Sequence, residues 1–269
     1  MKTQAIAFDL DDTLLRNDRT ISDYTVAVLR RASEQGIHIL PASGRARESM
    51  RPFVERIGCA ECYISCNGAE VWDAKTHALL KRETLPVALA REVAEFAEER
   101  DCYAQTYSET GFFYSREGEY ARAYAESAML TGEYLGDLSA FITAPTSKIL
   151  MMDDPVKIAH MLAEARERFS GRAAVTCSKP YFLEINPLRA TKGIALQWCG
   201  DHLGFSLDSA VAFGDSLNDL SMLEAAGRGI AMGNAREDVK CRVRTVCLTN
   251  EDDGVARYID QYLLREEHA

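Results

Sequence analysis

No uninterrupted apolar run in the 269 residues approaches the roughly 20 needed to cross a bilayer, and the chain's opening leads straight into a short strand rather than a long signal core. Positive charge is also scarce. Lys and Arg number 31 against 41 Asp and Glu, a formal net charge of -10. Such a balance argues against a nucleic-acid scaffold, which needs a basic stripe to neutralise phosphates, and disfavours binding to anionic membranes. Cysteine is too sparse for a disulfide framework. The 8 cysteines, spread from Cys59 to Cys247, lack the density of a small secreted domain and read as reduced thiols of a cytoplasmic protein. The spacing Cys59-x2-Cys62-x3-Cys66 hints at a metal site, but no fourth Cys or His follows at zinc-site spacing, and Cys66 falls in an apolar run. No repeat or low-complexity tract interrupts the chain.

What remains is an ordinary globular composition, 47% hydrophobic and 27% charged, in a chain long enough for one large domain or two modest ones. Its acidity has a consequence for any anionic ligand. The overall field repels it, so a phosphate site must supply positive charge locally.

Gln4 to Phe8 is short, apolar and followed by a polar loop, as a buried parallel strand requires. Ser22 is an N-cap for a helix over Tyr24 to Gln35 that stops at Gly36. Ile37 to Ala42 reads as a second strand, Ala46 to Ile57 as a helix kinked or split by Pro52, and Cys62 to Ser65 as a third strand. This alternation specifies a parallel α/β sheet. From Asn67-Gly68 the character changes. Ala69 to Trp72 and Leu79 to Arg82 flank a polar turn as a hairpin, and a helix follows over Val87 to Arg100. Aromatic strands at Tyr103 to Tyr107 and Phe112 to Ser115, a helix over Gly118 to Met129, and strands at Ser147 to Met152 and Tyr181 to Ile185 complete the middle region. After Lys192 the pattern reverts to helix, strand, helix, strand. We therefore expect an α/β, Rossmann-like parallel-sheet core built from residues 1–82 and 187–269, with an inserted α+β domain over 83–186.

Two acidic clusters follow apolar strands. Asp9 and Asp11 lie where the first strand runs out, and Gly214-Asp215-Ser216-Leu217-Asn218-Asp219 follows Ala210 to Phe213. Open α/β sheets place ligands at that edge. Carboxylates so close repel unless a cation lies between them, which suits a hard, oxygen-liganded ion such as Mg2+. Either cluster alone reads more simply as a solvated loop or a helix cap. Ser43, before Gly44-Arg45, and Lys192, before Gly193, each offer a phosphate-oxygen donor near a helix N-terminus, although a lone serine or lysine is ordinarily a cap or a solvent-facing residue.

In order and spacing, Asp9-Leu10-Asp11-Asp12-Thr13-Leu14-Leu15, Ser43-Gly44-Arg45, Lys192-Gly193 and Gly214-Asp215-x-x-Asn218-Asp219 resemble the four motifs of the haloacid dehalogenase superfamily of phosphatases. Ile64-Ser65-Cys66-Asn67-Gly68-Ala69, Phe182-Leu183-Glu184-Ile185, Ala231-Met232-Gly233-Asn234-Ala235 and Thr249-Asn250-Glu251-Asp252-Asp253-Gly254 resemble its Cof-type subfamily, which carries a type IIB cap between the second and third motifs. Such proteins usually show Asn-Glu-Asp-Gly where this chain has an extra acidic residue, so the geometry of that loop is open.

The resemblance implies Mg2+-dependent hydrolysis of a small phosphomonoester, a sugar phosphate or phosphorylated cofactor. Asp9 would attack phosphorus to form an aspartyl-phosphate, and Asp11 would carry the proton. The metal would be held by Asp9, the Asp11 backbone carbonyl and Asp215, with Asn218 or Asp219 in support. Ser43, Gly44, Lys192 and Asn218 would bind the phosphoryl group. Its partner would be a small phosphorylated metabolite, bound by a monomer or homodimer. A phosphomutase on the same scaffold is the nearest alternative. A non-catalytic phosphometabolite-binding module is another, but it should have lost one of Asp9, Asp11, Lys192 or Asp215. Tyr107, Phe113, Tyr114, Arg116, Tyr181 and Glu184 are candidates for selecting the leaving group, although strand aromatics are more often core.

Overall fold

Ala5-Ile6-Ala7-Phe8 is apolar at every position because both faces of the strand it forms are covered, and all four side chains are fully buried. In the computed structural model, which describes residues 2–108 and 111–264, this strand is β1 (Ala5–Phe8). There follow α1 (Asp23–Glu34), β2 (His38–Pro41), α2 (Arg47–Ile57), β3 (Cys62–Ser65), β4 (Glu70–Asp73), β5 (Leu79–Arg82) and α3 (Val87–Glu99). The middle of the chain forms β6 (Tyr103–Tyr107), β7 (Gly111–Tyr114), α4 (Glu119–Ala128), β8 (Thr131–Tyr134), α5 (Leu138–Phe141), β9 (Ile149–Met152), α6 (Pro155–Arg168), β10 (Ala173–Thr176) and β11 (Phe182–Pro187). The remainder forms α7 (Lys192–Leu203), β12 (Ala210–Gly214), α8 (Leu220–Ala225), β13 (Arg228–Ala231), α9 (Glu237–Lys240), β14 (Thr245–Val246) and α10 (Gly254–Tyr258).

The helices begin and end for local reasons. Ser22 caps α1 by accepting from the Thr25 amide at 3.0 Å, and Val26, Leu29 and Ala32 repeat at helical spacing on its buried side. Beyond its end, Gly36 takes φ +79°, the left-handed conformation glycine adopts without cost. Pro52 does not split α2, which runs as one helix through it; the proline sits on the exposed side.

Both ends of the chain build one five-stranded parallel sheet in the order β14-β13-β12-β1-β2. The strand order reverses between β1 and β12, which makes that seam the switch point where ligands sit in open α/β sheets. Register sharpens this. Phe8 pairs with Phe213 on one side and Pro41 on the other, so Asp9, Gly214 and Ala42 emerge level with one another.

β3 departs from the expected parallel series. It touches the sheet through a single parallel bridge, Ala42 to Ile64, and its ladder is antiparallel with β4, which pairs in turn with β5. An apolar strand of four residues reveals its burial but not its partner. A six-stranded sheet, β10-β11-β9-β6-β7-β8, lies entirely between Tyr103 and Pro187 and is antiparallel except for the β7–β8 pair. Its outer strands β8 and β10 and the short helix α5 are additional to those read from the sequence. A hydrophobic cluster running from Leu85 to Ile185 packs beneath this sheet, separate from the one beneath the parallel sheet. On the sheet's other face, Tyr103 and Phe112, with Tyr124 of α4, cluster with Ala46, Cys66, Ala69 and Ala190. Among the described residues no helix is long and apolar enough to cross a membrane.

Candidate active site

The loops leaving β1, β2 and β12 converge above the parallel sheet. Asp9, directly after β1, points a buried carboxylate at Lys192, the first residue of α7, whose ammonium donates at 2.5 Å to Asp9 and at 2.6 Å to Asp219. Thr191 fixes the start of α7 by accepting from the Ile194 amide at 3.2 Å. Gly193 follows Lys192 because α8 passes too close for a side chain: a Cβ there would lie 2.2 Å from the Ser221 carbonyl oxygen. Asp219 folds the turn after β12 by accepting from the amides of Asp215 and Ser216, each at 3.0 Å. Asp215 accepts from the Thr13 hydroxyl at 2.8 Å, which ties the β12 loop to the β1 loop.

Oxygens of Asp9, Asp215 and Asp219 lie within 4.8 Å of one another, the one such grouping among the described residues. Burial raises the Asp9 carboxyl well above its ordinary range; Lys192 opposes this, but Asp219, Asp215 and Asp11 add to it. Asp215 is pushed up to about 8, by burial first and then by the charges of Asp219 and Asp12. Lys192 is raised despite its burial, because Asp219 and Asp9 flank it. Three carboxylates thus share one ammonium. The donor set, oxygens only and short of positive charge, fits a hard divalent cation.

Asp11 sits apart from this triad. Its side chain is held by Arg45, Nε at 2.7 Å and Nη2 at 2.8 Å, and although burial raises its carboxyl, the bonds and charge of Arg45 outweigh that and hold it below the usual range. Ser43 is buried, and its hydroxyl oxygen accepts from the Arg45 amide at 3.1 Å. Gly44 sits close under Asn67: a Cβ there would stand 2.9 Å from Asn67 Oδ1, so a side chain would push on that amide. Asn218 is joined to that same residue, its Nδ2 donating to Asn67 Oδ1 at 3.0 Å, so its amide faces Asn67 while Asp219 joins the triad.

The triad opens onto a cleft of about 530 Å³ roofed by the six-stranded sheet and α4. Asp9, Asp11, Ser43, Gly44, Asp215 and Asn218 line its floor, and Tyr120, Tyr124, Leu150, Lys179, Tyr181 and Phe182 its roof. Of the leaving-group candidates, Tyr181 and Glu184 line this cleft. The others are occupied elsewhere: Tyr107 bonds Tyr124 at 2.7 Å, Tyr114 stacks on Tyr103, Phe113 packs on Phe141, and Arg116 pairs with Asp101. A buried ion pair ties roof to floor. Lys148 donates to Glu184 at 2.6 Å and to the Gly44 carbonyl at 2.8 Å, while Glu184 also accepts from Asn67 at 3.1 Å. Arg45, Asn67 and Lys148 were not among the residues picked from the sequence as site groups. Lys148 carried a signal all the same, as a lone charge entering the apolar run Ile149 to Met152.

The extra acidic residue in the loop after β14 has a defined place. Asp253 takes φ +54° and accepts from Arg16, Nη2 at 2.7 Å and Nε at 3.3 Å, which anchors that loop to the segment following Asp9.

Residues 6–259 match the model of the haloacid dehalogenase-like hydrolases. The chain belongs to that family. It is 29% identical to a pyridoxal phosphate phosphatase of Escherichia coli over 98% of this chain and 100% of the other. A 5-amino-6-(5-phospho-D-ribitylamino)uracil phosphatase of Bacillus subtilis is also 29% identical, over 96% of this chain and 95% of its own. A solved haloacid dehalogenase-like hydrolase from Bacteroides thetaiotaomicron superposes with a TM-score of 0.85 at 30% identity, covering 97% of this chain and 99% of that one. The Cof-type motifs and the α/β parallel-sheet fold agree with this membership, and the chain is an enzyme of the family's phosphatase type.

Proposed function

We propose that this enzyme hydrolyses a small phosphomonoester, a sugar phosphate or phosphorylated cofactor, with Mg2+ and through an aspartyl-phosphate on Asp9. The observation that carries the reading is the placement of Asp9 at the sheet's switch point, against Lys192 and the Asp215–Asp219 pair, at the floor of the cleft. The relatives named for pyridoxal phosphate and for a phosphoribitylaminouracil support a phosphorylated cofactor or its precursor as substrate. We assign residues 1–82 and 187–269 to the core and 83–186 to the cap that roofs the site.

Asp9, Asp215 and the Asp11 carbonyl would hold the magnesium ion, with Asp219, which already accepts three hydrogen bonds, in support. When bound, Mg2+ supplies the charge that lets an anionic nucleophile meet an anionic phosphoryl group. An Asp9 oxygen attacks phosphorus, the bond to the leaving oxygen breaks, and that oxygen takes a proton from Asp11, which must first release one oxygen from Arg45 and bind a proton from solvent. Asp11, now a carboxylate, takes a proton from water as the water oxygen attacks phosphorus and the bond to Asp9 breaks. Phosphate is released and both side chains regain their starting states. Ser43 and Lys192 bind the phosphoryl oxygens as their charge redistributes, and the local cation answers the repulsion from an acidic protein.

The test is phosphate release from a panel of phosphorylated metabolites with Mg2+, using Asp9→Asn as the blank. Free phosphate matched to substrate loss supports hydrolysis. An isomeric phosphosugar with little free phosphate, or turnover by the Asn variant, overturns it.

A further inference from the structure

Both carboxylate oxygens of Asp11 are occupied by one side chain. Arg45 donates to them from Nε and Nη2, a bidentate geometry that fixes the plane of a carboxylate as well as its position. The remaining nitrogen, Nη1, reaches two further groups. It donates to the Ser49 hydroxyl at 2.7 Å, on α2, and to the Ser127 carbonyl at 3.3 Å, in the last turn of α4. Arg19 donates to that same carbonyl at 3.3 Å. The guanidinium lies 5.2 Å from the centre of the Phe53 ring and its side chain is 10% exposed, so it is packed as well as bonded.

We infer that Arg45 is a positioning residue: it aligns Asp11 for proton transfer and makes that alignment depend on the seating of α4 over the cleft. The inference rests on Asp11 being the proton carrier proposed above. To protonate a leaving oxygen, Asp11 must free one of its own oxygens. Ser49 and the Ser127 carbonyl hold Nη1 while that happens, so Arg45 can keep the other oxygen and with it the direction of the carboxyl group. A lysine would not serve, because a single ammonium has no fork with which to hold both partners at fixed angles. The contact with α4 extends the control. A cap helix lifted from the cleft takes away one of the groups that hold the guanidinium.

Leaving-group chemistry separates this role from phosphate binding or bulk stability. An alkoxide needs the proton as the phosphorus–oxygen bond breaks, whereas p-nitrophenolate departs without one. The wild type, Arg45→Gln, Arg45→Lys and Asp11→Asn are compared in kcat/KM, which reports events up to departure of the leaving group and excludes the later attack of water, on p-nitrophenyl phosphate and on the best alkyl phosphate of the metabolite panel. We expect both Arg45 variants and Asp11→Asn to lose about 100-fold in kcat/KM on the alkyl ester, the size of a general-acid contribution, and only about threefold on the aryl ester. If Asp11→Asn discriminates between the esters and the Arg45 variants do not, Arg45 is not the positioning group. If Asp11→Asn itself shows no discrimination, the proton-carrier reading falls and takes the inference with it. Hydrogen exchange reads the second half: residues 125–130 should exchange faster in Arg45→Gln than in the wild type, and unchanged exchange there removes the link to α4.

Discussion

The ammonium of Lys192 stands between Asp9 and Asp219, 2.5 Å from one carboxylate and 2.6 Å from the other, with none of its side chain exposed. Asp215 adds a third acid to the group. Single positive charge against three carboxylates is a costly arrangement away from water, and the divalent cation proposed for the site would offset it. It sets what the following perturbations should do.

Lys192→Met removes the only protein cation bonded to the triad among the described residues. Breaking a buried pair by deleting one partner costs about 3–5 kcal/mol, because the surviving charge is left uncompensated. Denaturant unfolding in chelator should show a loss of that order. A midpoint equal to the wild type's would mean that the triad is protonated and indifferent to Lys192.

Divalent metal should stabilise the fold as well as support turnover. A ligand that binds only the folded state adds about 2.7 kcal/mol at a hundredfold excess over its dissociation constant. Thermal melts should therefore rise with Mg2+ in the wild type and far less in Asp215→Asn. Activity should vanish in chelator, and Ca2+ should restore it poorly because its looser coordination spoils in-line geometry. Full activity in chelator would contradict the metal assignment.

The Lys148–Glu184 pair gives a pH signature away from the triad. Burial raises the Glu184 carboxyl, but Lys148, with help from Asn67, holds it below its ordinary value. A carboxyl depressed on folding stabilises the protein above its unfolded pKa, and the contribution is lost as pH falls through the folded value. Glu184→Gln should therefore be less stable than the wild type at neutral pH, with the gap narrowing on acidification below pH about 4. A gap that stays constant with pH would show that the loss is one of packing. Lys148→Met alone should cost more than Lys148→Met combined with Glu184→Gln, since only the single variant strands a buried charge.

The parallel core was legible because apolar strands followed by acidic or Gly-containing loops carry their own boundaries. Ala5 to Phe8 and Ala210 to Phe213 illustrate this, and the edge rule alone brought Asp9 and Asp215 to one place. Elements that depend on partners were not legible. β3 has the composition of a parallel strand but pairs with β4, and β8, Thr131-Gly132-Glu133-Tyr134, is an exposed edge with no apolar alternation to announce it. Likewise Ser43-Gly44-Arg45 pointed to a phosphate loop, yet nothing in the order of residues says that Arg45 grips Asp11, 34 positions earlier, or that Lys148, just before β9, reaches the Gly44 carbonyl. The second contact exists only once the six-stranded sheet is packed over the loop that follows β2.

The central claim, that Asp9 is the nucleophile, is tested most directly by trapping the covalent species. The wild type is mixed with a turned-over phosphomonoester and Mg2+, quenched rapidly in acid, digested, and mapped by mass spectrometry. The account predicts one phosphoryl group on the peptide carrying Asp9, removed by hydroxylamine as an acyl phosphate should be, and absent in Asp9→Asn. A phosphoryl group on another residue, or Asp9→Asn turning over at the wild-type rate, would contradict it.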